Sequence, residues 1–337
     1  MKKFLVVGSS YLNYSYTLTE KEAGELGIKK EEECVIPNNV LHNLKNGFEG
    51  KISGGGRGAN QALAIKRANP NNVVKFISVI GDDNDGKILK EIYYKNGIDT
   101  KYINEAYAHK TNVTYSIIVN GENQMYGNTN IRTMDSLNSN IFDEQILPEL
   151  EECVAVVTHL EMPYEIFKRL LEESNKREIP ILVDPNPLPN LWYLFEEENI
   201  KKITFLTPNE EELQHILKIS SMTYNEFIKK YKNVIYTKGK LGAELKINGV
   251  NKLIPSIQVN CIDDTGAGDC FNGVFANFLV NNNLDLSKKI ELSNIFAAIK
   301  TTKIGAENSP TIEEVKKYIL ENSMNRENLK YLEGEEL

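Results

Sequence analysis

One pattern recurs along this chain: a short, unbroken apolar run, then a polar or glycine turn, then helical spacing. Residues 4–7, 73–80, 154–158, 181–183, 203–206 and 234–236 are such runs. Strands that are apolar along their whole length are buried on both faces, the habit of parallel sheets. Helical spacing follows several of them. Ala62, Leu63, Ile65 and Ala68 repeat up to Asn69-Pro70, and Ile88, Leu89, Ile92 and Tyr93 repeat up to Gly97, which suits the position just past a helix end. Further helices are predicted over 164–175, 290–301 and 312–320. Together they predict an α/β fold, a mainly parallel central sheet with helices on both faces. Two segments break the rhythm. Residues 113–119 and 122–126 flank Asn120-Gly121, and 243–247 and 250–254 flank Asn248-Gly249, so each reads as a hairpin with a type I′ turn. The first points to a small β lid built from segments near 11–53 and 112–128. A charged connection over 19–33 includes a helix, with Val35, Val40 and Leu41 in flanking strands. The chain is expected to form one domain over 1–322, with a polar, frayed tail over 323–337.

At 337 residues and 41% hydrophobic the chain can bury a large core. A formal charge of −8 argues against a nucleic-acid partner. Cys34, Cys153, Cys261 and Cys270 form no Cys-x-x-Cys pair, so neither a zinc site nor a disulfide framework is indicated, and free thiols suit a reducing cytoplasm. The first apolar run, Phe4 to Val7, is too short for a signal peptide, and no 18-residue apolar run predicts a membrane span.

The chemistry concentrates in Asp263-Asp264-Thr265-Gly266-Ala267-Gly268-Asp269, followed by an apolar helix from Phe271 through Phe275 to Leu279. Small residues at a helix start let backbone N–H groups approach an anion, and the helix dipole favours it there. Asp269 falls in the first turn. It is either an ordinary first-turn acid or, beside a bound phosphoryl group, a general base for an attacking hydroxyl. The second reading makes the stretch an anion hole plus base for phosphoryl transfer to an alcohol. Gly54-Gly55-Gly56-Arg57-Gly58-Ala59-Asn60-Gln61 is a second glycine run before a helix, where Arg57 and Asn60 can bond hydroxyls. Tyr11 and Asn13 fall in a polar turn after the first strand, and Glu161 ends another strand, both favoured ligand positions in open α/β sheets. His159 reads as packed rather than catalytic. Glu211 and Glu212, after Thr207-Pro208-Asn209-Glu210, are capping acids or holders of a hydrated magnesium ion.

With these stretches in place, the chain from about Phe4 to about Leu320 resembles the ribokinase-like carbohydrate kinase family. Gly55 to Ala62 is similar to the family's N-terminal sugar-binding signature and Asp263 to Asp269 to its anion-hole signature. Asn209 and Glu212 match its Asn-x-x-Glu motif, and Thr237-Lys238-Gly239-Lys240-Leu241-Gly242 its nucleotide loop. Four motifs in order are specific where one would be weak. The resemblance implies an enzyme that phosphorylates the primary hydroxyl of a small sugar, most simply ribose to ribose 5-phosphate, with ATP, Mg2+ and K+. It implies Asp269 as base and Gly266, Ala267 and Gly268 as the anion hole. It gives sugar binding to Tyr11, Asn13, Gly55, Gly56, Arg57, Gly58, Asn60 and Glu161. ATP falls to Asn209, residues 237–242, Gly268 and Asn294, and magnesium, through water, to Glu212. It places potassium at Asp263, Thr265, Lys300, Lys303, Gly305 and Ser309, several through backbone carbonyls.

The sugar side departs from the family pattern. Tyr11 and Asn13 stand where the family has Asn-x-Asp, and Arg57 replaces a lysine. A neutral amide grips hydroxyls without charge assistance, and Arg offers a planar fork. An adenosine- or inosine-type nucleoside kinase is therefore the alternative within the family. A non-catalytic sugar or nucleotide sensor is the alternative outside it, and the intact Asp269 and glycine run speak against it. Open strand edges on a hairpin lid suit a homodimer through the lid.

Overall fold

The structure, a computed structural model, describes residues 1–28, 36–107, 109–119, 122–127, 132–231, 233–247, 250–322 and 327–332. Its strands are β1 (Lys3–Val7), β2 (Tyr11–Leu18), β3 (Lys51–Gly55), β4 (Val73–Gly81), β5 (Ile103–Ala106), β6 (Val113–Val119) and β7 (Glu122–Gly127). They continue as β8 (Ala155–His159), β9 (Ile181–Asp184), β10 (Phe205–Leu206), β11 (Asn233–Thr237), β12 (Ala243–Ile247) and β13 (Val250–Ile254). A nine-stranded sheet runs β13-β12-β11-β10-β9-β8-β1-β4-β5, and all of its pairings are parallel except those of the β12–β13 hairpin at one edge. The expected mainly parallel sheet is therefore present.

β1 shows why the sheet is covered on both faces. Phe4, Leu5, Val6 and Val7 are all fully buried. Because side chains alternate along a strand, Phe4 and Val6 pack with Ala62, Phe271 and Phe275, from helices Arg57–Ala68 and Ala267–Leu279. Leu5 and Val7 pack on the other side with Phe167 and Leu170 of helix Tyr164–Lys176. The two helices on the first face cross closely. A Cβ on Gly273 would stand 2.4 Å from the Gln61 carbonyl oxygen, so only glycine permits the approach. Beyond them, Val274 and Phe278 join Phe296, Val315, Ile319 and Leu332 in a further layer.

A smaller sheet, β3-β2-β6-β7, stands over the carboxyl ends of the large one. β2 and β6 are parallel and the outer pairings antiparallel. Its alternation divides two environments. Leu12, Tyr16, Leu18, Tyr115 and Ile117 are buried in the core, while Tyr11, Asn13, Ser15, Thr114 and Ser116 face a cavity.

Three expectations are corrected here. Tyr11 and Asn13 lie in strand β2 of the small sheet, not in a turn of the large one. Val40 and Leu41 belong to helix Asn38–Gly47, in which Val40 and Leu44, four apart, share the buried face. Glu327–Leu332 is helical rather than frayed, with Leu332 buried and Asn328 Nδ2 donating to Glu291 Oε1 at 3.1 Å. Val35, Cys34, Asn120-Gly121 and Asn248-Gly249 fall outside the described residues. Among the described residues, no helix is long and apolar enough to cross a membrane.

Candidate active site

In the large sheet β1 lies between β4, reached first along the chain, and β8, reached later on the opposite side. The connections that follow β1 and β8 lead to opposite sides of the sheet, which opens a crevice at their carboxyl ends. Segments after β1, β8 and β9 deliver Ser9, Glu161 and Asn186 to it, and the small sheet roofs it to enclose a cavity of about 480 Å3.

One end of the cavity is the start of helix Ala267–Leu279. Gly266 is its N-cap with φ +79°, and a Cβ there would meet the Ala306 carbonyl oxygen at 2.6 Å. Both conditions demand glycine. The Ala267 N–H donates to the Asp264 carbonyl at 3.0 Å. The N–H groups of Gly266, Gly268 and Asp269 have no hydrogen-bond partner among the described residues and are the donors left for an anion. Ala267, expected as a third donor, closes the turn instead.

Asp269, whose own N–H is the last of these donors, is only 5% exposed. Asn60 Nδ2 donates to its Oδ2 at 2.8 Å and Gln61 Nε2 to its Oδ1 at 3.3 Å. Both amides come from the first turns of helix Arg57–Ala68, where positions 57, 60 and 61 share one face. Burial raises the Asp269 pKa, while Arg57 and the two amides hold it back. A desolvated carboxylate with a raised pKa, fixed by two donors, is a competent proton acceptor.

Sequence reasoning missed the group behind this carboxylate. Asp184, at the end of β9, is buried, and its Oδ2 accepts from Gln61 Nε2 at 3.1 Å, Asn272 Nδ2 at 3.4 Å and Arg57 Nη1 at 3.4 Å. Its Oδ1 is buried without a partner. Burial pushes its carboxyl well above the ordinary range against the pull of Arg57, and the charges of Glu212 and Asp269 add to the rise. Gln61 thus bridges two carboxylates. Two signals were available: the strand-end position already used for Glu161, and the helical spacing of Gln61 with Arg57. Arg132, also missed, lines the cavity, and its charge acts on both Tyr11 and Glu161.

At the other end the Tyr11 hydroxyl donates to Glu161 Oε1. Burial raises the Glu161 pKa, and the Tyr11 bond opposes the rise. Asn13 is tied into the small sheet, donating to Ser15 Oγ at 3.0 Å and accepting from Thr114 Oγ1 at 3.1 Å. His159 is packed, as expected. Its Nε2 lies 2.8 Å from the Ser9 amide nitrogen, and burial lowers its pKa to about 3, so it stays neutral.

The remaining expected residues divide. Gly55, Gly56, Arg57, Asn60 and Asn209 line the cavity. Gly58 does not; it packs on Gly8, whose carbonyl carbon would be 2.6 Å from a Cβ. Glu212 lies behind Asn209 in a reciprocal cap, with Asn209 N–H donating to its Oε2 at 2.9 Å and Asn186 Nδ2 to its Oε1 at 3.0 Å. Thr237 ends β11 and Lys238, Gly239, Lys240, Leu241 and Gly242 follow it, all outside the cavity lining, and Asn294 Nδ2 donates to the Ile254 carbonyl at 2.9 Å. Among the described residues, no three His, Cys, Asp or Glu side chains form a cluster able to hold a metal ion.

Residues 31–313 match the pfkB family of carbohydrate kinases. The chain belongs to that family. Among curated proteins it is similar to the ribokinase of Bacillus subtilis, 28% identical over 271 residues, covering 79% of this chain and 87% of the relative. It is similar too to the deoxyribokinase of Salmonella typhi, 30% identical over 285 residues, covering 80% and 88%. Among solved structures, ribokinase from Thermotoga maritima superposes with a TM-score of 0.75 at 25% identity, covering 95% of this chain and all of that one. This pfkB-family chain is accordingly a carbohydrate kinase of the ribokinase-like fold, and the family implies ATP and a divalent metal ion.

Proposed function

We propose that this kinase transfers the γ-phosphoryl group of ATP to the primary hydroxyl of ribose or a closely related small sugar. The observation that carries the reading is the juxtaposition at one helix start. Asp269, fixed by Asn60 and Gln61, lies beside the unpartnered N–H groups of Gly266 and Gly268. The sugar would lie against Tyr11, Asn13, Arg57, Glu161 and the hydroxyls of Ser15 and Thr114, all of which line one cavity with Asp269.

In the step itself the Asp269 carboxylate takes the proton of the sugar hydroxyl. The sugar oxygen bonds to the γ-phosphorus as the bond to the β-phosphate oxygen breaks, and ADP leaves. Charge growing on the transferred group falls to the Gly266, Gly268 and Asp269 amides, which cost no reorganisation because the turn already holds them. Mg2+ on the ATP phosphates would neutralise charge there. It binds mainly phosphates and water, so few protein ligands are needed. Glu212, through water, is the acceptor suited to it. The small sheet roofs the site and keeps water from competing as acceptor.

The deciding experiment is an acceptor screen with ATP and Mg2+, reading ADP release with ribose, deoxyribose, other pentoses, hexoses, adenosine and inosine. Turnover with a pentose above the no-acceptor rate supports the proposal. Turnover with nucleosides alone moves the assignment to a nucleoside kinase, and no turnover with any acceptor refutes both.

A further inference from the structure

Lys300 ends helix Leu286–Lys300, and its side chain is fully buried. An amine with three donors withdrawn from water needs acceptors around it. Its Nζ donates to the Asp263 carbonyl at 3.0 Å. Asp263 in turn braces the anion-hole loop. Its Oδ1 accepts the Thr265 N–H at 3.0 Å, and its Oδ2 accepts the Gly305 N–H at 2.8 Å. The Ile262 and Asp263 N–H groups both donate to the Thr301 carbonyl, at 2.7 and 3.0 Å. The strap leading into Gly266 is thus laced to residues 300–305, with the Lys300 amine inside the lacing. Two buried oxygens of the neighbouring loop, Glu307 Oε2 and Ser309 Oγ, have no partner, and the Glu307 charge acts on Lys300.

This shell is the one in which the family resemblance places a potassium ion, and apart from the buried Ser309 Oγ its oxygens are largely engaged by the protein itself. Both Asp263 carboxylate oxygens already accept N–H groups. The Lys300 carbonyl accepts the Lys303 N–H at 3.0 Å, and the Gly305 carbonyl accepts the Asn308 N–H at 3.2 Å. The Lys303 side chain turns away to Glu314 Oε1 at 2.6 Å. An ion entering here would also sit beside a buried ammonium in a poorly screened interior, where like charges repel strongly.

We propose that the Lys300 ammonium is a tethered internal cation that holds the loop over residues 263–268 in its working shape, so that catalysis needs no free monovalent ion. It is a positioning residue. It touches the loop whose N–H groups face the transferred phosphoryl group, not the sugar or ATP. The inference rests on the kinase reading above.

The test uses the full chain at constant ionic strength in choline, sodium, potassium and ammonium chloride. Wild-type kcat is expected to agree within about twofold across the four salts, and its Tm to be the same in potassium and choline chloride, since no site gains a ligand. Lys300→Met is expected to lose about 100-fold in kcat, the scale of a loop misplaced by an ångström, with both KM values little changed. Potassium or ammonium, but not choline, should restore at least about tenfold of that loss and raise the variant's Tm. Potassium activation of the wild type, a wild-type kcat in Lys300→Met, or a loss that no cation repairs would each overturn the proposal. If the variant does not fold, the wild-type salt series decides by itself. The Tm comparison needs no turnover, so it still tests Lys300 if the acceptor screen finds no substrate and the kinase reading fails.

Discussion

Replacing Asp269 with asparagine isolates the proton acceptor from the scaffold around it. The carboxylate now accepts two amide donors, Asn60 Nδ2 at 2.8 Å and Gln61 Nε2 at 3.3 Å. An asparagine has one acceptor oxygen, so it can keep the shorter bond while its NH2 faces Gln61. Losing the longer bond costs about 1 kcal/mol of stability. The opposing term is the charge. Burial raises the Asp269 pKa, so its stabilising contribution is present at low pH and is lost as pH rises through the folded-state value. At pH 7 the ionised group therefore costs the fold, and Asp269→Asn removes that cost. Tm is expected to be unchanged or slightly higher. Catalysis behaves differently. Loss of a positioned base lowers kcat by about 10²–10⁴-fold, or about 3–5 kcal/mol of barrier, while the KM for ATP stays near wild type. The assay is ADP release from pH 4 to 9. The wild-type rate should fall on the acid side at a pH above the ordinary aspartate value, since protonation disables the base, and the variant should lack that limb. Turnover of Asp269→Asn within tenfold of wild type, or a variant that keeps the acid limb, would refute the role.

Three other substitutions probe the surroundings. Gly266→Ala forces a side chain onto φ +79° and against the Ala306 carbonyl, so it should cost about 1–3 kcal/mol in denaturant titration and about 100-fold in kcat. Tyr11→Phe removes the donor to Glu161 and should raise the sugar KM about tenfold with kcat nearly constant, measured by steady-state kinetics. Phe275→Ala empties a fully buried position that packs against Phe271 and Phe205, and should destabilise the chain by about 3–5 kcal/mol in urea unfolding.

The chain's local pattern was enough for the large sheet and the phosphoryl half of the site. Unbroken apolar runs such as Phe4 to Val7 leave one option, burial on both faces, and parallel neighbours with helical cover follow from it. The run from Gly266 to Asp269 was legible for a similar reason: a helix start, its free amides and its first-turn acid are set within one turn of chain. The small sheet was only half legible. The alternation of Leu12, Tyr14, Tyr16 and Leu18 with Asn13, Ser15 and Thr17 was in the sequence, but a strand's partners are chosen by distant segments, and β2 takes β3 and β6 as neighbours.

Only tertiary packing could reveal the groups that act through contacts far apart in the chain. Gln61 is remote in sequence from Asp269 and meets it where Gly273 lets two helices cross closely, and the same amide reaches Asp184 at the end of β9. The family resemblance placed Lys300 among the potassium positions, while the placement of its amine depends on how helix Leu286–Lys300 docks beside Asp263. The physical division is one of range. Backbone conformation and burial pattern are decided by neighbours in sequence, whereas the charge and hydrogen-bond environment of a buried group is decided by whichever segments the packing brings within a few ångströms of it.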